Sequence, residues 1–579
     1  MARLLKFLGV FSFSSTLLLS ACDGSAINSH DNQSKPLNSA VATVHPLATQ
    51  AGEIALAQGG NAIDAAIAAA LTLGIVDGHN SGIGGGCFIL VRWANGDIEA
   101  IDGREMAPAK AHRNMYLRNG LADPSLSTTG ALAIGVPGSL AAYDYLIAAG
   151  GKLTLPQLLI PAAELAEQGF PISQPYARRL AYTANKIRQF PNSAAILLDV
   201  AGQPHPAGYH FKQKDLANTY RNIAAQGIDY FYNGPFAEAL ERWMQNNGGL
   251  VSATDFANYQ LKQRQPLVTA YRGHQIIGFP PPSSGGVHVA QILNMLEAFD
   301  VQALSEAERY HLLTETMKLA FADRAQWLGD PDFVSVPKGL IDPLYAKSLA
   351  QDINFDSPVV VTHAGTPPDA TLDLFSKHTT HIAAADSAGN WVAITSTVNT
   401  SFGSKVIIPG TGVIMNNQMD DFSAQPGVQN VFGLVGAEAN SIVAGKRPLS
   451  SMSPTIVLRN GQPIITLGAA GGPTIITQVV QSLVNVIDLD MSLHDALAAQ
   501  RIHHQWQPNL LYVEPTMPQP VRDQLAVIGH RLVEHQHFGA TQLIGLSDDQ
   551  FIAVVEPRLG IKKPIKASAK PAVGAAINN

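Results

Sequence analysis

The chain is 579 residues long, room for about two to four average domains or for one large α/β unit. Hydrophobic residues make up 46% and charged residues 14%, less than the usual quarter, which describes a globular protein with a large core. A net charge of −7 without a basic stripe gives no case for a nucleic-acid partner, and 2 cysteines, one of them in the leader, cannot build a disulfide framework.

Met1 to Ser20 reads as a targeting segment. Arg3 and Lys6 give it a charged start, and Phe7 to Leu19 is an apolar run too short for a comfortable membrane span. It ends in Leu19-Ser20-Ala21-Cys22, which resembles a bacterial lipoprotein signal in which Cys22 becomes the lipidated first residue. A plain secretory signal with a chance cysteine is the alternative. Asp23 resembles the inner-membrane retention signal of some Gram-negative bacteria, so a periplasmic, lipid-anchored protein is expected. Residues 22–44, Ser/Asn-rich from Gly24 to Ser39, are expected to form a flexible tether. Cys87 is then a lone thiol, read as a small buried residue.

His45 to Val76 reads as two helices broken at Gly59-Gly60-Asn61. Gly82-Ile83-Gly84-Gly85-Gly86 invites a phosphate-loop reading, but no Gly-Lys-Ser/Thr follows, and the glycines lead into an apolar strand, Cys87 to Val91. Close backbone packing is the better account. Asn95-Gly96 marks a turn, and a second strand, Ile98 to Asp102, delivers Arg104. An arginine alone is usually solvated. Its rigid fork also suits a carboxylate, which it can meet with two parallel hydrogen bonds. From Gly135 to about Asp300 the chain reads as mostly helical, with a turn at Pro280 to Gly286 before a helix near Val287. Tyr310 to Asp332 reads as another helix, on which the adjacent Asp323 and Arg324 do not share a face and are assigned structural roles.

The stretch Ser376-Lys377-His378-Thr379-Thr380-His381 follows a loop-like segment and begins a small-residue strand. Asp386 to Asn390 is a turn and Trp391 to Val398 a second strand, so the pair resembles a hairpin. Thr379 and Thr397 taken alone are ordinary strand threonines. A threonine whose own α-amine is free, however, carries its base with it, because that amine titrates near 7.7–8.0. Further on, Val413 to Met415 reads as a short strand feeding Asn416 to Asp421. Gln462 to Ala469 is an apolar strand, and Gly471-Gly472-Pro473 opens a helix, with proline at the first helical position.

Thr379-Thr380-His381, Thr397 to Gly403, Asn416 to Phe422, Arg447 to Thr455 and Gly471-Gly472 occur in that order. Together they resemble the gamma-glutamyltransferase (glutathione hydrolase) family of N-terminal-nucleophile hydrolases, over His45 to Arg558. The resemblance implies an α/β four-layer αββα sandwich, in which a precursor cuts itself between His378 and Thr379. A large subunit, 45–378, and a small catalytic one, 379–558, would remain associated as a heterodimer. The Ala/Lys/Pro-rich end, 559–579, matches nothing in the family and is expected from its composition to be disordered. Thr379 would be the nucleophile and its α-amine the base, with Thr397 orienting the hydroxyl and Gly471 and Gly472 forming the oxyanion hole. Arg104, Ser450 and Ser451 would bind the α-carboxylate of a γ-glutamyl donor such as glutathione. Asn399, Gln418 and Asp421 would bind its α-ammonium, although Asp421 could also be a surface turn residue. Water, amino acids or peptides would be the acceptors.

Val431 to Lys446 resembles the family's lid loop, with Phe432 where tyrosine is common; Gly103 and Pro473-Thr474 also depart from the usual pattern. No cofactor or metal is expected, since no His/Cys cluster has ligand spacing and the adjacent His503 and His504 point apart. Two rivals stand beside this reading. One is a cephalosporin or glutaryl acylase on the same machinery, for which Asp421 would be dispensable. The other is a non-catalytic lipoprotein scaffold, against which the intact threonine, arginine, serine pair and glycine pair argue.

Overall fold

The small and β-branched residues on either side of Asp386–Asn390 form an antiparallel hairpin, Thr380–Asp386 against Trp391–Thr397, with Thr380 opposite Ser396. The computed structural model describes residues 39–368, 380–425, 428, 430–431, 433–434, 438–536, 538–547 and 549–560. The hairpin sits inside a six-stranded antiparallel sheet ordered Ser39–Thr43, Thr380–Asp386, Trp391–Thr397, Gly86–Arg92, Ile98–Gly103, Lys262–Arg264. A second six-stranded antiparallel sheet is ordered Gln550–Val555, Ala540–Ser547, Gln462–Ala470, Thr455–Arg459, His274–Gly278, Leu267–Tyr271. Each sheet draws strands from both sides of the 378/379 boundary.

Strand alternation explains how the layers stack, since successive side chains face opposite ways. Phe88, Leu90, Ala383, Ala385 and Ala393 of the first sheet meet Ile277, Ile456, Leu458 and Ile544 of the second in one apolar layer. Phe88 stacks on Phe279 across this gap with ring centroids 4.2 Å apart, and burying each ring contributes about 1.5–3 kcal/mol. The alternate residues Ile89, Val91, Ile382 and Ile394 face a helical layer that includes Pro46–Ala57, Ala62–Val76 and Ser139–Gly150. On the far side, Val457, Ile465, Leu467 and Leu543 pack under Gly285–Leu296, Glu306–Trp327 and Thr474–Ile487. The result is the expected four-layer αββα sandwich.

The first helix pair breaks where expected. Asn61 caps Ala62–Val76 in a capping box with Asp64, and the Asp386 carboxylate from the hairpin turn accepts the Ala62 N–H at 2.9 Å. The glycine run is a close-packing device. A Cβ on Gly85 would stand 1.8 Å from the Thr397 carbonyl oxygen, so only glycine lets this loop lie against the end of the hairpin.

Several expectations need correction. Ser39–Thr43, placed in the 22–44 tether, is instead an edge strand on Thr380–Asp386, because its small and β-branched residues complete that ladder. The region from Gly135 to Asp300 is mostly helical, as expected, but holds strands that the sequence reading did not resolve. It contains five strands, of which Leu267–Tyr271 and His274–Gly278 turn through Arg272 and Gly273 at φ 48° and 77°. That is a primed turn made with Arg-Gly rather than the recognisable Asn-Gly. The helix read as Tyr310 to Asp332 runs Glu306–Trp327, set by a capping box between Ser305 and Glu308. Val413 to Met415 is no strand; Ile414 makes only an isolated bridge to Ile407. Residues 1–38, Cys22 among them, and 561–579 lie outside the described residues. No helix among the described residues is long and apolar enough to cross a membrane.

Candidate active site

The site is built where the ends of the first sheet meet two loops of the second half. His378 and Thr379 lie outside the described residues, as does Phe432 of the lid loop. Thr380, the residue after Thr379, is buried, and its hydroxyl donates to Asp77 Oδ2 at 3.0 Å. Thr397 ends the partner strand opposite Gly86, fully buried, and its Oγ1 accepts the Asn399 N–H at 2.8 Å.

That bond holds Asn399 in the left-handed region, φ 78°, a conformation asparagine tolerates better than most residues. Its Nδ2 donates to the Asn417 carbonyl at 3.0 Å. Its Oδ1 is buried and has no hydrogen-bond partner among the described residues. An acceptor left this way costs about 1–3 kcal/mol, so Oδ1 marks a place for a donor.

Arg104 leaves the end of Ile98–Gly103 with 0% exposure. Its Nε donates to the Pro448 carbonyl at 3.0 Å. Nη2 donates to the Leu449 carbonyl at 3.2 Å and to Asp421 Oδ2 at 2.5 Å. Glu105 Oε2 is 3.4 Å from Nη1, and burial pushes the Glu105 carboxyl up to about 7 against the pull of Arg104. Asp421 stands in a buried 3-10 turn, Gln418–Asp421, where Gln418 Nε2 also donates to its Oδ2 at 2.5 Å. It is no surface turn residue. Burial drives its carboxyl upward, and the Arg104 guanidinium and Gln418 amide oppose that.

Ser450 and Ser451, both fully buried, continue from the carbonyls that hold Arg104. The segment is clamped by Arg447, which donates Nη1 to the Asp102 carbonyl at 2.6 Å and also to its carboxylate. Burial pushes the Asp102 carboxyl up, but the guanidinium groups of Arg447 and Arg264 outweigh it and hold it below the usual range. The turn at Pro280 to Gly286 is zipped to the same segment. The Ser450 N–H donates to the Pro282 carbonyl at 2.8 Å, and the Ser284 N–H to the Ser450 carbonyl at 2.7 Å.

Gly471 and Gly472 follow strand Gln462–Ala470 at φ 135° and 67° and lead into helix Thr474–Ile487. Pro473 is the cap rather than the first helical residue. Among the described residues neither glycine N–H donates a hydrogen bond, so both remain for an oxygen ligand.

The structure thus brings Arg104, Gln418 and Asp421 into direct contact, with Ser450 and Ser451 behind the same carbonyls. Asn399 adjoins Thr397 through its own N–H. Three residues without an assigned functional role belong here. Asn440 ties the Asp421 carbonyl, at 2.5 Å, to the Leu449 N–H, at 3.1 Å. Asp77 accepts the hydroxyl of Thr380, the second residue after the expected cut. Arg324, assigned a structural role, donates to Ser451 Oγ at 3.0 Å.

His311, Glu315 and His530 also converge, with ligand atoms within 4.8 Å of one another, a grouping too dispersed to read by spacing. Lys318 Nζ lies 2.8 Å from Glu315 and the two imidazoles bond each other at 2.7 Å, so a lysine ammonium already occupies the cation's place. His503 and His504 serve different partners, Thr477 and Asn509.

The gamma-glutamyltranspeptidase family model matches residues 48–562. The "glutathione hydrolase proenzyme" of Escherichia coli (strain K12) is 41% identical over 526 residues, covering 90% of each chain. The "acylase ACY 1 proenzyme" of Pseudomonas sp. (strain SE83) is 39% identical over 506 residues, 85% of this chain and 87% of that one. Among solved structures, cephalosporin acylase from Bacillus halodurans superposes with a TM-score of 0.81 at 28% identity, covering 90% of this chain and 95% of that one.

Proposed function

This chain belongs to the gamma-glutamyltranspeptidase family, and from that premise we propose that Thr379 is the nucleophile at which the precursor cuts itself and then turns over substrate. The protein is a γ-glutamyl transferase and hydrolase made as a proenzyme, acting on glutathione and related donors. In maturation the Thr379 hydroxyl attacks the His378 carbonyl carbon. The amide nitrogen leaves as the Thr379 α-amine, and water hydrolyses the resulting ester to a carboxylate at His378. In turnover that amine takes the proton of the Thr379 hydroxyl as it attacks the γ-carbonyl, then passes it to the departing amine product. The γ-glutamyl ester is resolved by water or by the amine of an acceptor amino acid or peptide.

The observation that carries this reading is the buried pair of Arg104 and Asp421, 2.5 Å apart. An amino-acid head carries opposite charges on one carbon, so a cation and an anion held side by side are its complement. Ser450 and Ser451 would add donors to the α-carboxylate. Asn399 Oδ1, which has no partner among the described residues, would add an acceptor to the α-ammonium, and Gln418 a second. Thr397 Oγ1, anchored by the Asn399 N–H, would orient the nucleophile. The free N–H groups of Gly471 and Gly472 support an oxyanion hole, where one donor is typically worth about 10² to 10³ in rate.

The acylase reading retains support from the 39% identical acylase relative. We further propose that Cys22 is lipidated and holds the enzyme at a periplasmic membrane surface, on the strength of Leu19-Ser20-Ala21-Cys22. Intact mass spectrometry of the protein and of Thr379→Ala tests the mechanism. Two fragments meeting at His378/Thr379, with one uncut chain in the variant, are expected; an uncut wild-type chain removes the free amine and the mechanism with it. Release of the aniline from γ-glutamyl rather than glutaryl anilide then separates the two activities.

A further inference from the structure

Arg324 sits in the last turn of Glu306–Trp327 with 0% exposure, and it spans two loops. Its Nε donates to Ser284 Oγ at 2.9 Å and its Nη2 to Ser451 Oγ at 3.0 Å. The Ser284 hydroxyl passes its own proton to the Ser450 carbonyl at 2.7 Å. Ser451 differs in that no acceptor for its proton is present among the described residues. Ser450 is held alike, its Oγ accepting the Met452 N–H at 3.1 Å. Both serine hydroxyls therefore accept from the protein side and keep a proton to give.

A hydroxyl has one proton and two lone pairs, so a guanidinium on one lone pair fixes where the proton can point. It also polarises the O–H bond, because donors in a chain strengthen one another in a low-dielectric interior. Burial lowers the Arg324 guanidinium to about 9, with Asp421 opposing, which still leaves it charged at neutral pH. We propose that Arg324 is a positioning residue of the carboxylate pocket, turning the Ser451 hydroxyl proton toward the α-carboxylate of the γ-glutamyl donor and setting a second cation behind it. This rests on the assignment of Ser451 to that carboxylate.

The test compares two anilides that differ only in the α-carboxylate: γ-glutamyl anilide and 4-aminobutyryl anilide, which lacks it. Arg324→Gln is expected to lower kcat/KM for γ-glutamyl anilide about 10- to 100-fold, chiefly through KM, the range for one lost hydrogen bond to a charged group. The value for 4-aminobutyryl anilide is expected to stay within about 3-fold, since it presents nothing to the Ser451 proton. Equal losses on both donors mean a merely structural arginine and overturn the proposal. In a Ser451→Ala background, Arg324→Gln should add nothing further to the γ-glutamyl loss, and a full additive loss also overturns it. If intact mass shows Arg324→Gln uncut, Arg324→Lys is measured on the same pair under the same criterion, because an ammonium keeps the charge but not the fork that reaches both serines. Failure of the wild type to turn over γ-glutamyl anilide at all would count against the underlying assignment instead.

Discussion

Arg104 and Asp421 are 317 positions apart in sequence and 2.5 Å apart in space, in an ion pair with no solvent exposure on either side chain. One belongs to the end of a first-sheet strand and the other to a 3-10 turn from the far side of the 378/379 boundary. A zwitterionic amino-acid head bound here, as proposed, would meet a guanidinium and a carboxylate already joined to each other.

Asp421→Ala is expected to hurt in two ways. Removing one partner of a buried pair typically costs about 3–5 kcal/mol, tempered here by Glu105 at 3.4 Å from Arg104. The melting temperature should fall, and kcat/KM for γ-glutamyl anilide should drop by about 100-fold or more. Glutaryl anilide, which has no α-amine, should suffer far less. Losses of the same size on both donors would remove Asp421 from ammonium recognition.

Gly471→Ala probes the oxyanion hole. At φ 135° a side chain is strained, and a Cβ there would lie 2.5 Å from Thr474 Oγ1. Displacing this backbone should lower kcat by about 10² to 10³ with little change in KM. Steady-state kinetics on γ-glutamyl anilide decide it, and a kcat at the wild-type level would exclude the N–H from the hole.

Thr397→Val and Thr397→Ser form a pair. Valine keeps the shape but cannot accept the Asn399 N–H now bonded at 2.8 Å, whereas serine can. Valine is expected to slow both precursor cleavage and turnover about 10-fold or more, with serine retaining most of each. Time courses of fragment appearance and of aniline release measure the two. Indistinguishable variants would show the hydroxyl to be idle.

Asp77 gives a pH-dependent prediction. Burial pushes its carboxyl up to about 7, against hydrogen bonds from Thr380 and Asn80 and the charge of Arg179. The folded value exceeds the unfolded one of about 3.9, so the folded state favours the protonated form. Its contribution is whole below about pH 4 and is lost as pH rises through 7. Asp77→Asn cannot titrate, so its thermal stability should gain on the wild type between pH 5 and 8 by about 2–3 kcal/mol. A difference that stays constant with pH would mean Asp77 is already ionised in the fold.

The hairpin, the glycine run and the Arg447–Ser451 segment were legible in the sequence because their signals are local: alternating small residues, adjacent glycines, a run of serines. Arg324 and Asn440 were not. Glu306–Trp327 is buried on nearly every side, with Glu315, Lys318, Asp323 and Arg324 inside, so no apolar stripe tells a structural charge from one facing the site. The edge strand Ser39–Thr43 was lost because its partner, Thr380–Asp386, comes more than 300 residues later. The Arg447–Asp102 clamp is equally non-local, and only the folded chain shows that it holds the Arg104 strand to the serine pair.

The interleaving of strands across the proposed cut has a consequence for the protein's history. While the chain is continuous, Ser39–Thr43 and Thr380–Asp386 find each other within one molecule. If the bond before Thr379 is broken, that ladder and two others, Gly86–Arg92 with Trp391–Thr397 and His274–Gly278 with Thr455–Arg459, join separate polypeptides. Unfolding then releases two species whose reunion depends on concentration and on each lacking half of its sheets. The proposed cleavage would therefore act as a ratchet: a chain cut there would persist by the slowness of its unfolding, since its fragments could regain the sheets only by meeting again.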